Sequence, residues 1–346
     1  MSDSRREQPA RDTLGRPLHD LRLSVIDSCN FRCPYCMPAE IYGNAYRFLE
    51  PGELLSFDEI ERVVRAFVAL GAAKVKLTGG EPLLRPWLPD LVQRLAALPG
   101  VQDLALITNG ARLSRMARRL REAGLQRLTV SLDSLDERTF ELLNGRAHRL
   151  KPVLEGIAAA EAAGFSSIKL NVVVIRGVND GQVLDLVRRF RGTGHTVRFI
   201  EFMDVGNRNG WNRAQVVPSA ETLAAIHAVY PVQPVEPGYR GEVASRYRFL
   251  DGAGEVGFIS SVTQPFCRDC TRARLSADGQ VYTCLFAATG FDLRSALRRG
   301  VTDEELVSLV RGLWGRRADR YSEERADLRR SGTEAPQKVE MYTIGG

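Results

Sequence analysis

Across residues 21–202 short β-branched runs alternate with longer amphipathic stretches, and few folds accommodate that rhythm. Strands are predicted over 21–26, 74–78, 104–108, 127–132, 168–174 and 197–202. Between them the apolar residues recur at helical spacing over 56–70, 87–98, 114–123, 153–163 and 180–190. Ser56 followed by Asp58 and Glu59 reads as a capped helix start, and Gly71 and Gly124 stand where helices should stop. Strands separated by helices build parallel, right-handed βα units. Six of them predict an α/β fold, an incomplete (βα)6 version of the eight-unit TIM-type barrel.

The polar residues agree with a barrel. Cys29, Gly79-Gly80-Glu81, Thr108-Asn109-Gly110, Ser131-Leu132-Asp133 and Met203-Asp204 all fall at or just past strand C-terminal ends. That rim is where barrel enzymes place their chemistry. A period of two sets Lys74 and Lys76 on one strand face and Lys169 and Asn171 on another. With those faces inward, the lumen is basic. After Asp204 the rhythm breaks: 206–210 is a loop, 219–229 a helix, 231–241 rich in Pro and Gly, and 246–250 with 255–260 a hairpin. Helical patterns run from 292 to about 329. The expected organisation is a flexible N-terminus (1–12), the barrel (13–240), a second-cysteine and substrate region (241–330), and a tail (331–346) ending Gly345-Gly346.

Composition excludes several classes. No run of about 18 apolar residues is present, so no membrane span is expected. The first twenty residues do not resemble a secretory signal, which predicts a cytoplasmic protein. The net charge of +6 is compatible with a solvated basic surface, and no basic run interleaved with aromatics marks a nucleic-acid groove. Only five lysines stand against 43 arginines, and Lys74, Lys76 and Lys169 lie in strand-like segments, where a buried cation needs an anion.

All six cysteines fall into two groups of three. A disulfide framework suits a long chain without a secretory signal poorly. Cys29, Cys33 and Cys36 have the spacing C-x3-C-x2-C, close enough to wrap one metal centre. Structural zinc wants a fourth ligand, for which His19 remains a candidate. A [4Fe–4S] cube held by three thiolates keeps one iron open to a small molecule. Cys267, Cys270 and Cys284 give C-x2-C-x13-C, either half a zinc ribbon or a second three-legged cluster. Arg272 and Arg274, at i and i+2 on an extended segment, project to one side as a fork suited to phosphate. No G-x-x-x-x-G-K-[ST] occurs, so side chains would have to hold any nucleotide phosphate.

The C-x3-C-x2-C triad with Tyr35 before its last cysteine resembles the radical S-adenosylmethionine (SAM) superfamily, and Thr78-Gly79-Gly80-Glu81-Pro82 resembles its methionine-binding segment. The resemblance implies SAM on the open iron of the first cluster, with SAM contacts at Tyr35, Gly80, Ser131 and Met203. Residues 266–286, with Gly15-Arg16-Pro17, the stretches 20–25 and 198–203 and the terminal Gly345-Gly346, resemble the GTP 3′,8-cyclase family from about Leu14 onward. That resemblance implies a second [4Fe–4S] cluster and GTP contacts at Arg22, Lys76, Thr108, Lys169, Arg272, Ala273 and Arg274. The lumen argument adds Lys74 and Arg198. The family's Gly-Gly tail, here Gly345-Gly346, inserts toward the active site.

The chain departs from the family at Lys76, where Arg is common, and at Ile26 and Ser28 beside the first triad. The implied reaction joins ribose C3′ of GTP to guanine C8, giving 3′,8-cyclo-7,8-dihydro-GTP for molybdenum cofactor synthesis. Cyclic pyranopterin monophosphate synthase would accept the product, and the chain would act as a monomer or homodimer. The rivals are a radical SAM enzyme with an auxiliary cluster that acts on a peptide, and a non-enzymatic iron–sulfur or zinc protein.

Overall fold

The computed structural model describes residues 9–145, 148–330 and 337–345. The barrel half runs β1 (Asp20–Ser24), α1 (Phe57–Ala69), β2 (Lys74–Thr78), α2 (Leu88–Ala96), β3 (Asp103–Thr108), α3 (Leu113–Glu122) and β4 (Arg127–Ser131). It continues through α4 (Glu137–Asn144), α5 (Lys151–Ala162), β5 (Lys169–Val174), α6 (Val183–Phe190) and β6 (Thr196–Glu201). Beyond it come α7 (Ser219–Val229), β7 (Val232–Val235), β8 (Ser245–Phe249), β9 (Glu255–Ile259), β10 (Arg272–Leu275), β11 (Gln280–Tyr282) and β12 (Phe291–Asp292). The chain closes with α8 (Arg294–Arg298), α9 (Asp303–Gly315), α10 (Tyr321–Arg330) and α11 (Met341–Ile344).

One sheet contains all twelve strands, in the order β12-β11-β10-β1-β2-β3-β4-β5-β6-β9-β8-β7. The six expected strands form in that sequence, and each neighbours the next in parallel. The C-terminal region then adds a parallel strand at each edge, β10 beside β1 and β9 beside β6. Residues 241–330 are therefore built into the barrel wall. The N-terminal expectation also needs correction, because residues 9–12 are packed. Ala10 and Asp12 are buried, and Asp12 pairs with both Arg16 (2.5 Å) and Arg317 (3.1 Å).

The strands divide their faces as the period of two requires. Leu21, Leu23, Val75 and Leu77 turn outward beneath the helices and are fully buried, each contributing about 1.5–3 kcal/mol. Asp20, Arg22, Lys74 and Lys76, from the alternate positions, line the lumen. Helix α1 begins on a capping box, with the Ser56 hydroxyl accepting from Glu59 N–H and the Glu59 carboxylate accepting from Ser56 N–H. It buries Ile60, Val63, Val64 and Phe67, the positions that the helical period singles out.

Candidate active site

Strand register sets the lumen cations side by side. Arg274 pairs with Arg22 across β10 and β1, and Arg22 pairs with Lys76 across β1 and β2. Lys169 and Arg198 come from β5 and β6, where Asn171 is the register partner of Arg198 and accepts two hydrogen bonds from its guanidinium at 3.0 and 2.6 Å. These residues, with Arg272, line a cavity of about 570 Å³ that also reaches Met203, Cys267, Cys270 and Cys284.

Among the described residues, Arg22, Lys76, Lys169 and Arg198 have no carboxylate partner at ion-pair distance. Burial and mutual repulsion push Lys169 down to about 8 and Arg198 to about 10, and hold Arg22 and Lys76 well below their ordinary values. A cavity in that state favours a polyanion. Lys74 differs from the rest. Its ammonium lies 3.4 Å from Asp103 and 3.8 Å from Asp20 and donates to the Tyr239 hydroxyl at 2.8 Å, so the protein itself supplies its anions.

The first triad sits in the loop after β1. Cys29 Sγ accepts from Phe31 N–H at 3.3 Å, and the Asn109 side-chain amide lies 3.8 Å away. Arg32, buried inside the loop, donates to the carbonyls of Tyr42, Cys29 and Phe31 at 2.5, 2.6 and 2.8 Å and so fixes its curvature. Gly145, at φ +64°, ends α4 against this loop, and a Cβ there would stand 1.5 Å from the Arg32 carbonyl oxygen. Gly80 N–H donates to Ile26 O and Glu81 N–H to Ser28 O, at 2.8 and 2.9 Å. A Cβ on Gly80 would lie 2.2 Å from Ser28 O, so the glycine lets two backbones meet.

Glu81 accepts from Thr108 Oγ1, Asn109 N–H and Leu83 N–H at 2.7, 2.7 and 2.9 Å, while burial raises its carboxyl to about 7. Tyr35 donates to Asp133 at 2.6 Å, and Asp133 also accepts from Val173 N–H at 2.8 Å. All three cysteines are free thiols and half-buried. Three sulfurs with N–H donors aimed at one of them suit an iron–sulfur cube. Among the described residues no three His, Cys, Asp or Glu side chains close in as a single-ion site. A cube is wider than one ion, so its thiolates stand further apart.

The second triad begins at the turn Cys267–Asp269 and reaches Cys284 after β11. Arg272 Nη2 lies 3.5 Å from Cys270 Sγ, and Phe286 N–H donates to Cys284 Sγ at 3.4 Å. The C-terminal tail enters the same region. Ile344 is fully buried, Arg274 donates to its carbonyl at 3.3 Å and to that of Gly345, and a Cβ on Gly345 would lie 2.1 Å from Thr78 Cγ2. Gly346 lies outside the described residues.

The cavity thus brings together Arg22, Lys76, Lys169, Arg198, Arg272, Arg274, Met203 and the second triad. Ala273, between the two arginines, faces the other way and is buried in the core. Thr108 does not line the cavity, since its hydroxyl is engaged by Glu81 and Gly110 N–H. Ser131, at the end of β4, stands in register with Asn171. Sequence reasoning did not anticipate Arg32, nor the contacts that Asn109 and Asp133 make. Asp133 and Asn109 had been placed on the rim, but their partners are 98 and 80 residues away, and no local pattern announces such contacts.

Residues 23–190 match the Radical SAM superfamily, and residues 195–323 match Molybdenum Cofactor Synthesis C. The crystal structure of Streptococcus suis SuiB bound to S-adenosylmethionine superposes with a TM-score of 0.60 at 14% identity, covering 86% of this chain and 68% of that one. That likeness concerns the fold. An open parallel barrel with C-x3-C-x2-C after its first strand defines a radical SAM enzyme, a class that implies one four-iron cluster and SAM.

Over 338 residues the chain is 56% identical to the GTP 3′,8-cyclase of Xanthomonas campestris pv. campestris (strain B100), covering 98% of each. It is 57% identical to that of Acidothermus cellulolyticus over 323 residues, 92% of this chain and 89% of the relative. The chain belongs to the GTP 3′,8-cyclase family.

Proposed function

We propose that this enzyme of molybdenum cofactor biosynthesis converts GTP to 3′,8-cyclo-7,8-dihydro-GTP, with the nucleotide held in the lumen between the two cysteine triads. The observation that carries this reading is one cavity lined both by Cys267, Cys270 and Cys284 and by Arg22, Lys76, Lys169, Arg198, Arg272 and Arg274. A triphosphate supplies the negative charge that those cations lack, and Arg offers it planar, two-pronged donors.

Cys29, Cys33 and Cys36 would hold the cluster that binds SAM, with Tyr35, Gly80, Ser131 and Met203 around the cofactor. When bound, cluster and SAM would supply a 5′-deoxyadenosyl radical that takes the ribose C3′ hydrogen and leaves as 5′-deoxyadenosine; the C3′ radical would then add to guanine C8, and one electron from the reductant with one proton would complete the 7,8-dihydro product. The second triad, again three free thiols with N–H donors at two of its sulfurs, would hold a second four-iron cluster and orient guanine. The work left to the chain is positioning: Arg272 and Arg274 fix the phosphates from β10, Arg22 and Lys76 from the adjoining strands, and the fixed pose brings C3′ toward C8. The tail closes the lumen beside Thr78.

No described helix is long and apolar enough to cross a membrane. We place the enzyme in the cytoplasm, where cyclic pyranopterin monophosphate synthase would receive its product.

Anaerobic reconstitution with GTP, SAM and a reductant tests the reading. The cyclised nucleotide should form with both triads loaded, and Lys76→Met should weaken GTP binding by roughly tenfold while 5′-deoxyadenosine still forms. SAM cleavage with GTP returned unchanged by the intact protein would overturn it.

A further inference from the structure

The tail that reaches Thr78 is held by a buried ionic node at the end of the barrel's sixth strand. Asp204, just past β6, is buried at 6% exposure, and three groups converge on it. Lys338 Nζ donates to its carbonyl at 2.7 Å and lies 3.1 Å from its carboxylate. Arg325 Nε is 2.9 Å from Oδ1, and the Tyr321 hydroxyl donates to Oδ2 at 2.7 Å. Lys338 also stands 4.4 Å over the Tyr321 ring, which stacks on Phe286 at 4.5 Å.

Taking such charges out of water is costly, and apolar groups of similar volume would stabilise the fold at least as well. What the node supplies is connection. Met203 precedes Asp204 and lines the cavity; Phe286 lines it too and donates its N–H to Cys284 Sγ. Lys338 lies seven residues before Gly345 on the same tail. A second tie runs beside it, with Lys338 N–H donating to Asn207 Oδ1 at 2.9 Å and Val339 N–H to Ala287 O at 2.9 Å.

We propose that Asp204 is a positioning residue: through Lys338 it sets where the tail enters the lumen, in register with Met203 on one side and with the Cys284 loop on the other. This rests on the cyclase reading and adds to it a mechanical link between the chain's sixth strand and its tail. The tail's closeness to Arg274 makes the link matter for the substrate, since a shift at Lys338 is passed to Gly345 and to the guanidinium that meets it.

Lys338→Met keeps the stem and removes the charge. Two readouts follow, hydrogen exchange over 339–345 and the ratio of cyclised product to 5′-deoxyadenosine in the reconstituted enzyme. We expect faster exchange in the tail, a ratio lowered by roughly tenfold, unchanged iron content and unchanged SAM cleavage. Asn207→Ala loosens the second tie and should give the same pattern more weakly; it carries the test if Lys338→Met loses iron. A cycle with a chain lacking residues 345–346 isolates the route, because Lys338→Met should then add nothing further.

Unchanged exchange, or effects of Lys338→Met and truncation that multiply, would overturn the proposal. So would a truncated chain as well coupled as the full one. Failure of the intact protein to cyclise GTP would instead sink the cyclase reading, and the exchange experiment would still decide whether Lys338 anchors the tail.

Discussion

The two cysteine triads offer the same three thiols, but one of them, Cys270, stands in surroundings opposite to those of the first triad. At the first, burial and the neighbouring Glu81 push Cys29 up to about 12, and burial with Cys36, Cys29 and Asp133 raises Cys33 as well. Glu340 adds to the same effect at Cys36. At the second, burial with Asp319 likewise raises Cys284, to about 11, but Arg272 and Arg317 bring Cys270 down to about 6. Net charge and hydrogen bonding to the sulfurs set how readily a cluster accepts an electron. On the proposed reading, the acidic neighbours of the first triad would suit a site that gives an electron away, and the arginines beside Cys270 one that shares its space with a triphosphate.

The largest test separates the two roles outright. Cys33→Ala should abolish 5′-deoxyadenosine formation. Cys270→Ala should leave SAM cleavage in place and abolish the cyclised nucleotide, and in each variant iron should fall from about eight to about four per chain. Loss of SAM cleavage in both would erase the distinction.

A smaller effect sharpens the electrical contrast. The first cluster should reduce at a more negative potential than the second, and Arg272→Gln should move only the second downward, on the order of tens of millivolts. Redox titration followed by paramagnetic resonance reads both centres, and equal shifts would show that the arginine's field is not local.

The smallest effect concerns the lumen next to the second triad. Burial and the neighbouring cations push Lys169 down to about 8, and a bound triphosphate favours its charged form. Binding above pH 8 must therefore take up a proton, so GTP affinity should decline as pH rises past that point, by at most about tenfold per unit. Calorimetry in buffers of different ionisation enthalpy measures the uptake, which Lys169→Met should remove.

Much of the fold was legible before the structure. The βα rhythm gave six strands nearly to the residue, because a strand buried under helices and facing a lumen must alternate, and alternation is visible locally. Helix α4, Glu137–Asn144, escaped notice because it is short and polar, and β7 because Pro234 interrupts it in a Pro- and Gly-rich stretch. The edge strand β10 was seen only as an extended arginine fork. Its place beside β1 depends on pairing across some 250 residues, which no local period records. Lys74 shows how such reasoning overreaches. A buried lysine does need an anion, but Asp20 and Asp103 face it from the two flanking strands, β1 and β3, and the sequence does not say whether the partner is substrate or protein.

Gly145 shows how far the first triad's requirements extend along the chain. It binds no metal, and it lies 109 positions beyond the last cysteine of its triad, yet any side chain there would run into the Arg32 carbonyl. A missense change at this glycine would therefore mimic the loss of a cysteine ligand. Strains or isolates carrying one should be sorted with ligand-loss alleles, even though a ranking by distance from the iron along the sequence would call them benign.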